Sequence, residues 1–402
     1  MSDSTPSRRP LWRRLLRCMA WSIGGLLTLC LLCYAILVAI NWNDEALTPE
    51  TQAWLTEPAN PVPDAQNAWL AMLALAYPQQ SGPQAGRRIL DLLHTAPAIS
   101  VDSGIYTRLD TRLQAEFGPA QAALDPSPIK EICSLQSKGP GVLDRIQQDT
   151  TGAAAQIRAN QALLEKYYAA ISLPQYAEEG FPFEGLPVQA NLLMPKLQAS
   201  CLARMDLSLR LAQNDPKAEQ LLSGHLQYWL AALTRSHSLL GMMIANAQVQ
   251  TDLDWINDLA HQYPRRTHSI LGYVLPQYAA FANMSRDQLW RHPIQGELRL
   301  DLQTINASRQ KTQSTSIFAR IEDFALTPLF QPQATLNQQQ ACLAGLLRDG
   351  QASLSPSIAT SMLYNPLGKS LDGCAYYSEK FSRVQLTQAA AGKFVTSLQS
   401  RP

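Results

Sequence analysis

Tyr176, Glu178, Glu179, Phe181, Phe183 and Glu184 crowd into one stretch, LPQYAEEGFPFEGLPV, which proline and glycine keep out of regular structure. Carboxylates beside aromatic rings are the residue types of a sugar or peptide cleft, in which burial raises the pKa of one acid so that it can deliver a proton. The same composition describes a loop whose rings pin it to helices while its acids face water. These six are the candidate binding residues, and no catalytic set is assigned with them.

Other fragments of chemistry are weaker. In LYNPLGKSLDG, Gly368-Lys369-Ser370 ends like a phosphate-binding loop, but Leu363 stands where that loop needs glycine and Pro366 removes an amide donor. The stretch reads as a turn, and no nucleotide is expected. Asp252-Leu253-Asp254 has the carboxylate spacing of metal-dependent glycosyltransferases. Leu253, Ile256, Leu259 and Ala260 carry a helical stripe straight through it, so the acids read as a solvated helix face. His261 and His268 flank Arg265 and Arg266 in a basic turn, YPRRT, and His225 falls on an apolar stripe, where a satisfied core histidine is the default. No Cys/His spacing suits zinc, and neither metal nor cofactor is expected. A net charge of +1, with no basic run beyond the first twenty residues, gives no reason to expect a nucleic-acid partner.

The clearest signal concerns address. Arg8, Arg9, Arg13, Arg14 and Arg17 precede an uncharged apolar run, and residues 18–41 are long enough to cross a bilayer as a helix. Asp44, Glu45, Glu50, Glu57 and Asp64 follow, with no Lys or Arg until Arg87. By the positive-inside rule, residues 1–17 form a basic cytoplasmic tail and the main domain lies across the membrane, most plausibly in the bacterial periplasm. The run is longer than a cleaved signal's apolar core. Ala20, Gly24 and Thr28 recur every fourth residue and could pair two copies as a homodimer.

Beyond the anchor stand Cys133, Cys201, Cys342 and Cys374, an even number in an oxidising compartment. Two disulfides are expected, Cys133 with Cys201 and Cys342 with Cys374. Residues 42–63 read as a Pro-rich stalk that holds the domain of residues 64–402 off the bilayer. That domain reads as all-α, an irregular array of antiparallel helical hairpins, with one short strand conceivable in AISVDSGIYTRL. Asp64 is expected to cap a helix through Tyr77, and a second helix to run from Pro83 to His94.

The best-defined hairpin opens with Pro195 and places Leu197, Cys201, Met205, Leu209 and Ala212 on one face. After Asn214-Asp215-Pro216, Ala218, Leu221, Leu222, His225, Trp229 and Leu233 form the matching stripe. The unit looks like one tetratricopeptide-type hairpin, without the repeat period of a solenoid. A further hairpin is expected from Ser238 to Tyr263 and from Thr267 to Met284. The favoured function is an interaction or assembly subunit of an envelope complex, offering a groove to a protein or peptide partner. The alternative is a periplasmic hydrolase or carbohydrate-acting enzyme that uses Glu178, Glu179 and Glu184.

Overall fold

The computed structural model describes residues 11–56, 60–95, 103–120, 141–179, 186–310, 327–349 and 374–399. Cys133, Phe181, Phe183, Glu184 and the LYNPLGKSLDG motif lie outside these residues, as does the side chain of Cys374. Among the described residues the protein is all-α, with fifteen α-helices and no strand. The suggested strand in AISVDSGIYTRL is corrected where it is described: Ser103–Phe117 is a helix that buries Leu109, Leu113 and Phe117.

The chain divides into two compact units. The smaller comprises residues 1–48, 312–338 and 354–372. Its first helix, α1 (Leu11–Ile40), contains Leu15–Ile40, a segment long and apolar enough to span a membrane. The small-residue seam lies on its exposed surface, where the Thr28 hydroxyl donates to the Gly24 carbonyl. Just beyond α1, the Asp44 carboxylate accepts the backbone N–H groups of Gln333 (2.9 Å) and Ala334 (3.0 Å). It thereby caps the helix that begins at Pro332, satisfying free donors at the positive end of the helix dipole.

The larger unit comprises residues 49–311, 339–353 and 373–402. Residues 42–63 are no open spacer: α2 (Pro49–Leu55) packs Trp54 against the core, and Arg299 donates to the Trp54 carbonyl. Asp64 does not cap the next helix. Asn67 does, its side chain accepting from Trp69 N–H (3.0 Å) at the head of α3 (Ala68–Leu73). A glycine-poor apolar run, Ala68–Tyr77, is buried throughout and continues as a short 3-10 turn, Ala74–Ala76. α4 (Gly82–His94) lies across it, and α5 is Ser103–Phe117. Three short helices follow: α6 (Val142–Gln148), α7 (Thr150–Ala159) and α8 (Gln161–Ile171).

The central hairpin pairs α9 (Leu186–Ala212) with α10 (Ala218–Thr234). α9 begins nine residues before Pro195, because Pro187 already suits a first turn, where no N–H is needed. Ala212 is exposed, and Leu211 takes the buried place beside it. Asn214 turns the chain with φ of 66°, a left-handed angle that asparagine tolerates. α11 (Leu239–Gln262) and α12 (Pro264–Ala282) form the next hairpin. Its expected loop shrinks to Tyr263 alone, since Pro264 starts α12 at once; His268, Arg265 and Arg266 are helical rather than in a turn. α13 (Arg286–Gln310), α14 (Pro332–Asp349) and α15 (Cys374–Gln399) complete the array.

Helix-to-helix distance depends on glycine at particular points. A Cβ on Gly86 of α4 would overlap the Leu70 carbonyl of α3, whereas Gly272 of α12 has nothing within 4 Å of the same position. Gly86→Ala is therefore expected to cost about 1–3 kcal/mol through overpacking. Gly272→Ala should be neutral or stabilise by up to about 1 kcal/mol through helix propensity. Thermal melting of the full chain in detergent checks this pair; equal shifts would contradict the close approach of α3 and α4.

Candidate functional site

The Asp252 reading changes most on folding. The DLD stretch is helical as expected, yet only Asp254 is exposed; Asp252 is fully buried rather than solvated. Helical twist turns Asp252 inward, where Arg204 Nε donates to its Oδ1 (2.7 Å) and His225 Nε2 lies 3.1 Å from the same oxygen. Gln248 Oε1 accepts from Arg204 Nη2 (2.8 Å) and from Ser200 Oγ (2.9 Å). On its other side His225 Nδ1 meets Tyr167 OH at 2.8 Å, and Trp229 Nε1 donates to that hydroxyl. Burial resists the charge on Asp252, but Arg204 and His225 outweigh it and hold the carboxyl below its ordinary value. Burial keeps His225 below its ordinary value too, with Asp252 opposing, and the ring lies between the Asp252 carboxylate at Nε2 and the Tyr167 hydroxyl at Nδ1. This network is sealed from solvent. It joins α8, α9, α10 and α11, and it is a core, not a site.

The loop that follows α8 is built differently. Its entry is fixed by Asn67, whose side-chain oxygen accepts from Ala177 N–H (3.1 Å) while its amide donates to the Ala177 carbonyl (2.8 Å). A single parallel bridge between Asn67 and Gln175 reinforces the grip. With the backbone so held, successive side chains leave on opposite sides. Glu178 turns inward and Glu179 outward.

Glu178 is 3% exposed. Its carboxylate accepts Ser236 Oγ (2.5 Å), Ser238 Oγ (2.6 Å) and Tyr176 OH (3.2 Å), and the His237 backbone N–H also bonds to it. Burial raises its pKa, while the serines, Lys196 and the His237 amide pull it back. Lys196 itself is buried over the Tyr228 and Trp229 rings, at 5.3 and 4.8 Å, and burial pushes its amine down to about 8. The residues Glu178 gathers form the turn between α10 and α11. Ser238 also caps α11 by accepting Gly241 N–H (3.0 Å). Neither Gly241, crowded by both serines and Glu178, nor Gly296, against the His237 carbonyl, has room for a side chain.

Glu179 instead meets Arg87, which is shared with Asp64 (2.6 Å), and accepts Asn60 Nδ2 (2.9 Å). Arg87 lowers the pKa of both acids. The two described carboxylates of the candidate set therefore serve different partners and do not face each other across a reacting bond. Tyr176 is brought to Glu178 as a hydrogen-bond donor.

Around this loop lie two cavities. One, of about 1100 Å³, is lined by Asn60, Arg87, Glu178, Glu179, His237 and His292 among others. The other, of about 1060 Å³, runs beside α10 and is lined by Leu173, Ser223, Gln227, Gln277 and Phe281 among others. Tyr176, Thr234, Arg235 and Met284 line both, so the two cavities adjoin at these residues. Sequence reasoning missed His237 and His292, which stack with ring centroids 5.2 Å apart although 55 positions separate them in the chain. No local signal links them; only the helix start at Ser238, just after His237, is legible.

Burial, then His292 and Arg299, push the His237 imidazole down to about 4, with Glu179 opposing. In the unfolded chain it titrates near about 6.5. The folded state thus binds fewer protons between those values, and this contribution to stability is complete above about pH 6.5 and lost as pH falls toward 4. His237→Gln should flatten that part of the stability curve. Urea midpoints measured from pH 7 to pH 4 check this, and an unchanged slope would contradict the burial of the ring.

Comparison with protein-family models, with curated proteins and with solved structures gives no match, so a functional reading rests on this geometry.

Proposed function

We propose that the protein is a non-catalytic interaction subunit of a bacterial envelope complex, anchored in the inner membrane by α1, whose helical domain binds an extended polypeptide segment in the groove along α10. The observation that carries this reading is the cavity of about 1060 Å³ that runs beside α10 and adjoins the second at Tyr176, Thr234, Arg235 and Met284. α10 has 17 residues, so at about 1.5 Å per residue the groove follows roughly 25 Å of helix. That length suits about seven residues of extended chain. Its lining has the two chemistries a peptide needs. Leu173, Leu221 and Met284 are half-buried and offer apolar surface, and the exposed amides of Gln220, Gln227 and Gln277 can each donate to and accept from a backbone.

The hydrolase alternative loses its support in the same place. Glu178 is occupied in holding a turn and Glu179 in holding Arg87, so neither is free to act on a substrate. The periplasmic address rests on the arginines before α1 and the acids after it. The expected bridges, Cys133 with Cys201 and Cys342 with Cys374, belong to the same address. In their favour, neither Cys201 nor Cys342 is a free thiol, whereas Cys18, Cys30 and Cys33 in α1 are free. Pairing of two copies through Ala20, Gly24 and Thr28 remains compatible with the exposed seam on α1.

One experiment tests both address and function. A cysteine replacing Gln227, treated in spheroplasts with a membrane-impermeant thiol-reactive photo-cross-linker, should be labelled and on illumination should join a discrete polypeptide. A cysteine replacing the exposed Ala162 of α8, away from the groove, should be labelled but join none. Labelling that requires cell lysis would overturn the address. Labelling at Gln227 without a polypeptide adduct would overturn the function.

A further inference from the structure

The anchor helix α1 is covered by protein at one end. From Leu15 to Cys33 every residue is exposed, whereas Tyr34, Leu37 and Val38 are half-buried and Asn41, just past the helix, is only 3% exposed. These residues follow the i, i+3, i+4, i+7 spacing of one helical face. The 3-10 turn Thr327–Leu329, which belongs to the same compact unit, packs against α1 and buries its own Leu329, so the two meet along this face.

The level of that contact follows from length. Leu15–Ile40 has 26 residues, about 39 Å of helix against a hydrocarbon core about 30 Å thick. With the core beginning directly after Arg17, about 20 residues of helix bring its far edge to Leu37. With the core ending where the apolar run ends, that edge falls at Ile40. Tyr34 lies inside either edge, by roughly 5 to 9 Å at about 1.5 Å per residue. Protein that covers Tyr34 therefore reaches below the bilayer surface.

The turn has the composition for that depth. Thr327 through Gln340 carries no charged side chain. Backbone near lipid must satisfy its own polar groups; here Pro328 has no N–H, and the Phe330 N–H donates to the Thr327 carbonyl at 3.3 Å. Asp44, the first charge after the anchor, is held at the start of the helix that begins at Pro332, which returns the turn just before that helix to the end of α1. Thr327 is exposed, and Pro328 and Phe330 are half-buried, so one side of the turn stays uncovered. Trp42, 73% exposed at the same end of α1, is the residue type that gathers where headgroups meet hydrocarbon.

We propose that Thr327–Phe330 and Trp42 form a foot that rests in the bilayer interface beside α1, the uncovered side of the turn touching phospholipid where headgroups give way to acyl chains. The inference rests on α1 crossing a bilayer and holds for either orientation of the chain. Lipid is the occupant because the covered face is continuous with the exposed apolar surface of the span itself.

The test uses the full chain in lipid nanodiscs loaded with one chain each, so that a second copy cannot supply apolar surroundings. An environment-sensitive fluorescent amino acid replaces Thr327, the exposed Leu26 in the middle of α1, or the exposed Ala162 of α8. The discs carry phospholipid with a nitroxide either near the headgroup end of the acyl chain or near its tip. The shallow nitroxide should quench the probe at Thr327 more than the probe at Leu26, the deep nitroxide should do the reverse, and neither should quench the probe at Ala162. The same probe at Trp42 repeats the reading without altering the turn. Quenching at Leu26 but at neither Thr327 nor Trp42 would overturn the foot and leave the span standing. Quenching at none of these positions would overturn the span, and this inference with it. An unquenched Thr327 probe with the emission of an apolar site would show the turn covered by protein and overturn the lipid contact.

Discussion

A single carboxylate, that of Glu178, organises the region where the two cavities adjoin. It is buried at the end of the loop that follows α8 and takes the hydroxyls of Ser236, Ser238 and Tyr176 together with the His237 amide. A buried charge is tolerated only when its lone pairs are filled, and filling them here folds the α10–α11 turn into one shape. The consequences spread outward from that turn. Ser238 caps α11, His237 is pressed beneath α13 at Gly296, and Arg235 is left on the groove wall.

The second constraint is the sealed network around Asp252. It costs desolvation energy for every polar group it contains, and an apolar packing of the same volume would often be as stable. What a polar core supplies is register: Arg204 on α9 and His225 on α10 both meet Asp252 Oδ1 on α11 in one alignment of the three helices, while Oδ2 is buried without a partner among the described residues. α10, aligned in this way, lines the cavity beside it. The two carboxylates thus have distinct tasks, Asp252 fixing how the helices stand and Glu178 fixing how two of them are joined.

Much of the architecture is legible in the residue pattern. Apolar residues at helical spacing reveal α9 through α12, and the uncharged run after the arginine cluster reveals α1. The ends of helices are less legible, because Pro195 lies inside a helix and Pro264 begins one, and proline suits either place when neighbouring turns permit. The stalk misleads for a related reason: prolines imply stiffness, but Trp54 supplies apolar area that a free spacer has no use for, and it packs on the core. At the site, the loop around Glu178 is recognisable from its composition. The direction each acid takes is not, because it depends on Asn67, more than a hundred positions earlier, gripping Ala177. The stacking of His237 on His292 is invisible for the same reason, being a product of how α13 crosses the turn.

The account turns on Glu178 being an organiser of the turn and not a group poised for chemistry. Hydrogen exchange in the full chain, comparing the wild type with Glu178→Gln, measures that directly, since glutamine keeps the size but supplies one acceptor oxygen in place of two. The amides of residues 236–242 should lose protection by about tenfold or more, corresponding to roughly 1.4 kcal/mol of local stability. Those in the middle of α9 and α11, held by the Asp252 network, should be unchanged. Protection of the turn equal to that of the wild type would show that its shape does not depend on this carboxylate, and would contradict the account at its base.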